Sequence, residues 1–316
     1  MRTLASAFNQ MDLWVGRGVP GLELTYPRVS GCDACGMVEA VGGGVDEAWI
    51  GRRVIFNAAV AQVERGGPGD ATGAARTPIY QLIGEHRNGA HAERFLAPAD
   101  NIADVGETDP IEAAAYGLCF LTAWSGMVGK GQLRAGQRVL VTGIGGGVAT
   151  SALAIALHFG CAIAVTSRHE WKLERAKELG ADLGVLDAGQ DWSRQVRAWT
   201  NGRGVDMAMD SSGTATHLNC IRSLGRGGAY ICPGATSGAE ATTDLVRLFW
   251  NQLRVLGTTM GTNDEFREVV ALLRAGKLRP VVDEVFTPER CVEAYERLEA
   301  GEQFGKVVLR WGEGGQ

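Results

Sequence analysis

A chain of 316 residues, 45% apolar and 21% charged, has room for two ordinary domains and reads as a soluble globular protein rather than a disordered one. Its formal charge of −5 argues against a nucleic-acid partner, because phosphate binding needs a basic face. No apolar run reaches the roughly 18 residues of a membrane span, and Arg2, Asp12 and Arg17 interrupt the start, so neither membrane insertion nor export is expected.

In the first hundred residues, short apolar runs at 37–41, 53–55 and 91–96 alternate with Gly and Pro turns, which predicts a compact β-rich unit. Residues 64–77 read as a loop on composition. From 137 onward, β-branched runs at 138–142, 162–166, 183–186, 206–210, 229–232 and 254–258 alternate with helical stretches. Two of these are an apolar helix over 151–159 and a helix over 170–179, whose Leu173, Ala176 and Leu179 form one stripe. That alternation predicts an α/β architecture, a doubly wound parallel sheet complete within about 125 residues. A helix over 263–277, a strand over 280–286, a helix over 288–300 with Pro at its start and a strand over 306–311 follow. The expected domains are 1–109, 110–262 and a C-terminal segment 263–316. The seven cysteines (32, 35, 119, 161, 220, 232 and 291) are odd in number and sit in apolar contexts, as reduced thiols in a cytoplasm would.

The first strand of the alternating region breaks into Gly143-Ile144-Gly145-Gly146-Gly147-Val148-Ala149. A strand, clustered glycines and a small-residue helix form the cradle of a dinucleotide's pyrophosphate, since glycines let the backbone come close and the helix start offers free N–H groups. Gly143, Gly145, Gly146, Gly147, Val148 and Ala149 are assigned to it; the competing reading is a tight turn and nothing more. At the end of the second strand stand Ser167 and Arg168, with Lys172 one turn on, where an NAD site usually carries an acid. A hydroxyl and two cations suit a 2′-phosphate, so NADP(H) is the expected cofactor; alternatively the two cations are solvated charges at a helix start. Gly234, Ala235, Thr236, Gly257, Thr258 and Met260 follow two further strand ends, where such sheets line their ligand crevice.

With Asn9, Asp12, Gly31-Cys-Asp-Ala-Cys-Gly36, Leu121-Thr-Ala-Trp124, the glycine loop and Gly305-Lys-Val-Val-Leu309 in order, the chain resembles the medium-chain dehydrogenase/reductase superfamily. It is similar to the branch of zinc-type alcohol dehydrogenases and quinone oxidoreductases. The resemblance implies a GroES-like catalytic domain built from both chain ends, a central Rossmann domain, a nicotinamide held in the cleft between them, and a homodimer. It also implies that relatives carry about thirty residues before the segment matching Met1–Asn9. On that alignment the chain begins inside a core strand, leaving an unpaired edge.

Against the family's zinc ligands, the resemblance aligns Asn9 with the first Cys, Cys32 with the His and Leu118 with the second Cys, with Asp33 matching the acid after the His and Cys119 one place out of register. One thiol, an amide and a leucine do not make a catalytic zinc site. A structural zinc lobe would fall near 58–80, where no cysteine stands, so no metal is expected at either place. Cys32 and Cys35 are read as strand-turn packing, the alternative being half a metal site with His86 or His91.

Asn9, Asp12 and Thr122 are the expected catalytic residues. In zinc-free relatives the first two match positions facing nicotinamide and substrate, and Thr122 matches a Thr beside the ring. The competing readings are helix capping for Asn9 and Asp12, and a buried helix Thr for Thr122. The expected function is a zinc-independent NADPH-dependent reductase of a small carbonyl-conjugated acceptor, a quinone or enone. The alternatives are a zinc-type alcohol dehydrogenase with a degenerate metal site and a non-catalytic NADPH-binding protein.

Overall fold

Strands from both ends of the chain pair in one sheet, and the stretch between them builds another. The computed structural model describes residues 1–19, 22–61 and 80–312; the loop expected over 64–77 lies outside them. Two compact units form: 1–121 together with 260–316, and 122–259. The first begins with β1 (Arg2–Ala7), α1 (Gln10–Arg17), β2 (Ala34–Met37), β3 (Arg53–Phe56), the antiparallel pair β4 (Ala59–Ala61) and β5 (Tyr80–Leu82), β6 (Ile102–Asp104) and α2 (Pro110–Ala114). Helix α2 packs on β1 and β2, which ties 110–121 to this unit, whereas the element pattern alone opens the next domain at 110.

After α3 (Gly117–Trp124), the second unit runs β7 (Arg138–Val141), α4 (Gly147–His158), β8 (Ala162–Ser167), α5 (Glu170–Glu178), β9 (Leu183–Leu186), α6 (Ser193–Trp199), β10 (Val205–Met209), α7 (His217–Ser223), β11 (Leu224–Cys232), α8 (Leu245–Trp250) and β12 (Arg254–Gly257). All its strand pairs are parallel, in the order β12-β11-β10-β7-β8-β9. Helices on both faces bury the central strands completely, so β7 reads as the unbroken run Val-Leu-Val instead of an alternation. Small residues of α4 (Ala149, Ala152 and Ala156, all buried) let that helix settle on β7 and β8. The order reverses between β7 and β10, so the ligand crevice of such a sheet opens at their carboxyl ends.

The chain then returns to the first unit with α9 (Asn263–Arg274), β13 (Val282–Phe286), α10 (Cys291–Ala300) and β14 (Lys306–Arg310). The first sheet has the order β13-β14-β1-β2-β3-β6, which gives β1 a neighbour on each side. Phe8, Leu13, Phe286, Ala294, Leu298, Val307 and Leu309 pack into a core beside it. The apolar run 91–96 forms no strand. It lies along the start of β1 through Thr3 N–H to Glu93 O, Phe95 N–H to Met1 O and the Met1 amino group to Phe95 O, and buries Phe95 against the Phe56 ring. The run 37–41 is likewise mostly loop, because β2 begins earlier, at Ala34.

Candidate active site

Sheet register assembles one polar cluster inside the first unit. Ala7 pairs with Val308 on one side of β1 and Ser6 with Ala34 on the other, which brings the residues beyond these strand ends together. Asn9, Cys32, Asp33 and Lys306 therefore meet although they are far apart in sequence, and Cys119 of α3 joins them; all are buried. The Lys306 ammonium donates to Asn9 Oδ1 at 2.6 Å and Asp33 Oδ2 at 3.0 Å, and lies 3.7 Å from Cys119 Sγ. An ammonium has only donors, so it fixes the Asn9 amide with its oxygen toward Lys306. The amide nitrogen then donates to Asp33 Oδ2 at 2.9 Å and Cys32 Sγ at 3.3 Å, and Cys119 Sγ donates to Asn9 Oδ1 at 3.3 Å. Asp33 Oδ1 accepts the Leu118 N–H at 2.7 Å. Burial alone would lower the Lys306 pKa, but the Cys119 and Asp33 side chains hold it above the ordinary range. Burial pushes the Cys119 thiol up to about 11 and raises the Cys32 thiol well above its usual value, which favours the neutral thiol at both.

Asp12 sits behind this cluster. Its carboxylate accepts Asn9 N–H and Gly31 N–H, each at 2.8 Å, tying the start of α1 to the loop before Cys32. His91 lies 3.7 Å from Asp12 and bonds Ser6 Oγ at 2.8 Å, while His86 Nδ1 accepts the Leu82 N–H. Cys35 is a buried thiol of β2, pushed by burial up to about 12. Leu118, the residue aligned with the second cysteine ligand, is half-buried and gives its N–H to Asp33, while its neighbour Cys119, one step along α3, turns its thiol into the cluster. Lys306, quoted in a motif but given no role by sequence, is the residue pattern reading missed. Its one signal is a lone cation opening an apolar strand.

The donor set does not fit a zinc ion. Among the described residues no three His, Cys, Asp or Glu side chains are grouped to share a metal. The would-be ligands face an ammonium and an amide N–H instead.

In the second unit the glycine loop has the conformation a phosphate cradle needs. Gly143 (φ +61°) and Gly145 (φ +111°) adopt backbone angles that side chains disfavour, and a Cβ on Gly143 would come within 3.2 Å of Ser212 Oγ. Gly146 caps α4 with no side chain bonded to its first-turn amides, and Gly147, Val148 and Ala149 open the helix. At the end of β8, Ser167 is buried and its Oγ accepts His169 N–H at 3.1 Å; Arg168 is exposed. Lys172 is buried, its ammonium 5.2 Å from the Trp171 ring centroid. Gly234, Ala235 and Thr236 follow β11, where Thr236 N–H bonds Ser211 O at 3.2 Å, and Gly257 ends β12, after which Thr258 Oγ1 accepts from Lys130 at 2.9 Å. Thr122 is a buried residue of α3, and Met260, buried at φ +51°, belongs to the first unit. Sequence reading also passed over Asp210. This fully buried carboxylate, at the end of β10, accepts Thr142 Oγ1 at 2.6 Å, Thr216 Oγ1 at 2.8 Å, Tyr230 OH at 2.9 Å and Ser212 N–H at 2.9 Å. It pins the ends of β7, β10 and β11 around the crevice. These residues fit a nicotinamide dinucleotide.

Comparison with known proteins agrees with this construction. Residues 1–107 match the alcohol dehydrogenase GroES-like domain family, and residues 147–275 match the zinc-binding dehydrogenase family. A zinc-type alcohol dehydrogenase-like protein of Schizosaccharomyces pombe is 32% identical over 314 residues, covering 97% of this chain and 88% of the relative. The chain belongs to the medium-chain dehydrogenase/reductase superfamily. Among solved structures, an NAD-dependent alcohol dehydrogenase superposes with a TM-score of 0.89 at 38% identity, covering 98% of this chain and 91% of that one. A 2-octenoyl-CoA carboxylase reductase in complex with NADP and 2-octenoyl-CoA shares the fold, with a TM-score of 0.87 at 21% identity over 99% of this chain and 79% of that one. The chain is thus an oxidoreductase of this superfamily, which uses a nicotinamide cofactor. No helix among the described residues is long and apolar enough to cross a membrane.

Proposed function

We propose that the protein is a zinc-independent NADPH-dependent reductase of a small carbonyl-conjugated acceptor, a quinone or enone. The observation that carries this reading is the Lys306 ammonium held by Asn9 and Asp33 where the family places metal ligands. When bound, the cofactor supplies a hydride. Gly143 to Ala149 hold its pyrophosphate, Ser167, Arg168 and Lys172 take the 2′-phosphate, and Gly234 to Thr236 with Gly257, Thr258 and Met260 receive the nicotinamide end. Asp12 acts as a positioning residue through Asn9 and Gly31. Asn9 and the Thr122 hydroxyl are the groups proposed to orient the acceptor, with the proton drawn from water or a hydroxyl held near them. The free thiols suit a cytoplasmic enzyme. We assign it a homodimer joined along β12, an edge strand beside the exposed side chains of Leu245, Val246, Phe249 and Trp250.

The test is NADPH oxidation against quinones, enones and aldehydes, with metal measured on the same sample. Turnover of quinones or enones without zinc is expected, and Ser167→Asp should cut kcat/KM for NADPH by about tenfold or more, a loss of about 1.4 kcal/mol. Near-stoichiometric zinc with chelator-sensitive activity defeats metal independence, and a tenfold preference for NADH defeats the NADP assignment. Tight NADPH binding without any turnover defeats the enzyme reading of this site.

A further inference from the structure

Ser6, His91 and Asp12 come from three separate stretches of the first unit and meet in one chain of contacts. Trp311 Nε1–H donates to Ser6 Oγ at 2.9 Å, Ser6 Oγ lies 2.8 Å from His91 Nδ1, and His91 Nε2 lies 3.7 Å from Asp12 Oδ2. The residue types are those of a nucleophilic triad, but the arrangement is not one, because Ser6 is fully buried and its oxygen is already engaged by the indole. His91 is built into the core. Its side chain is 8% exposed, its ring packs on Phe8 at 4.4 Å, and a Cβ at Gly31 would come within 2.6 Å of its backbone nitrogen. Yet its Nε2 has no hydrogen-bond partner among the described residues. A buried ring nitrogen left in that state calls for a reason.

Donor and acceptor capacity supplies one. An indole nitrogen only donates, so Ser6 Oγ accepts from Trp311 and keeps its own proton to give to His91 Nδ1. A neutral imidazole that accepts at Nδ1 carries its proton at Nε2, which faces the Asp12 carboxylate. The other tautomer would turn a lone pair toward a buried negative charge. Asp12 Oδ2 accepts Asn9 N–H and Oδ1 accepts Gly31 N–H, so this one carboxylate sets both the start of α1 and the loop before Cys32. We infer that His91 is a positioning residue of the active site: fixed by Trp311 and Ser6 in the Nε2–H form, it presents that proton to Asp12 and holds the carboxylate that places Asn9. The inference deepens the reductase reading above, and its first test does not depend on turnover.

That test is long-range proton–nitrogen NMR of the full chain labelled at histidine, with the His91→Gln spectrum identifying the His91 signals. A protonated Nε2 and a bare Nδ1 near neutral pH are expected; a bare Nε2, or protons on both nitrogens, overturns the inference. The second measurement is steady-state turnover with NADPH and a quinone. His91→Phe keeps a ring against Phe8 but has no N–H, and should lower kcat about tenfold while the KM for NADPH stays within about twofold of wild type. His91→Gln can still donate and should recover most of that loss. Wild-type kcat in a folded His91→Phe overturns the inference, as does an equal loss in both variants, which would make ring packing the cause. Circular dichroism and a melt establish folding, and His91→Leu replaces the Phe variant if that one does not fold. Absence of turnover in wild type sinks the reductase reading and leaves the NMR result to decide the role of His91.

Discussion

Two buried carboxylates anchor the two units, and they are satisfied in opposite ways. Asp33 in the first unit meets a full positive charge, Lys306, plus one amide side chain and one backbone N–H. Asp210 in the second meets no cation in an ion pair among the described residues; two threonine hydroxyls, a tyrosine hydroxyl and a backbone N–H bond it. Charge compensation concentrates stability in one partner, so losing that partner strands a buried ion. Compensation by several neutral donors spreads it, so losing one leaves the rest. The first arrangement cancels two opposite charges in place, and the second suits a scaffold that holds three strand ends in register.

Breaking the charged pair should have the largest effect. Asp33→Ala leaves Lys306 buried without its carboxylate and should cost about 3–5 kcal/mol in urea unfolding. Adding Lys306→Met to Asp33→Ala should return much of that loss; a double variant as unstable as the two single losses combined would show that the ion pair is not the source. Tyr230→Phe should cost less, about 1 kcal/mol, because Asp210 keeps its threonine and backbone donors. A loss as large as that of Asp33→Ala would erase the contrast between the two sites.

The smallest effect is a pH dependence confined to the second cluster. His217 is buried, its ring edge-on to Tyr230 at 4.8 Å and its Nε2 2.6 Å from Thr243 Oγ1. Burial lowers its pKa, with Asp210 pulling the other way. The folded chain thus binds fewer protons at this site than the unfolded chain. Stability from it is complete above the unfolded value of about 6.5 and declines as pH falls below that. Tm measured from pH 8 to 5 should fall more steeply in wild type than in His217→Gln, and parallel curves would remove His217 from the account.

The difference between the two sites also separates what was readable from what was not. The glycine loop, the buried strand β7 and the alternation through β12 were legible because β-branched runs, glycine clusters and helix periods are local properties. The β-rich character of the first unit was legible too, and the run 91–96 joins it by bonding antiparallel to the start of β1 through a single bridge at Arg94. Lys306 was present in a quoted motif yet carried no local signal of its role. Its meaning depends on β14 lying beside β1 with Ala7 opposite Val308. Cys119 shows the same limit at finer scale, because which of two adjacent helix residues turns inward is set by packing.

By itself, then, the sequence determined the doubly wound sheet, the glycine loop between its first strand and helix, and the superfamily, all of which follow from short-range pattern and motif order. Only the tertiary structure decided how the two buried carboxylates are neutralised. That depends on which side chains from distant strands share a water-excluded space, where an uncompensated charge is costly and its nearest partner sets the chemistry.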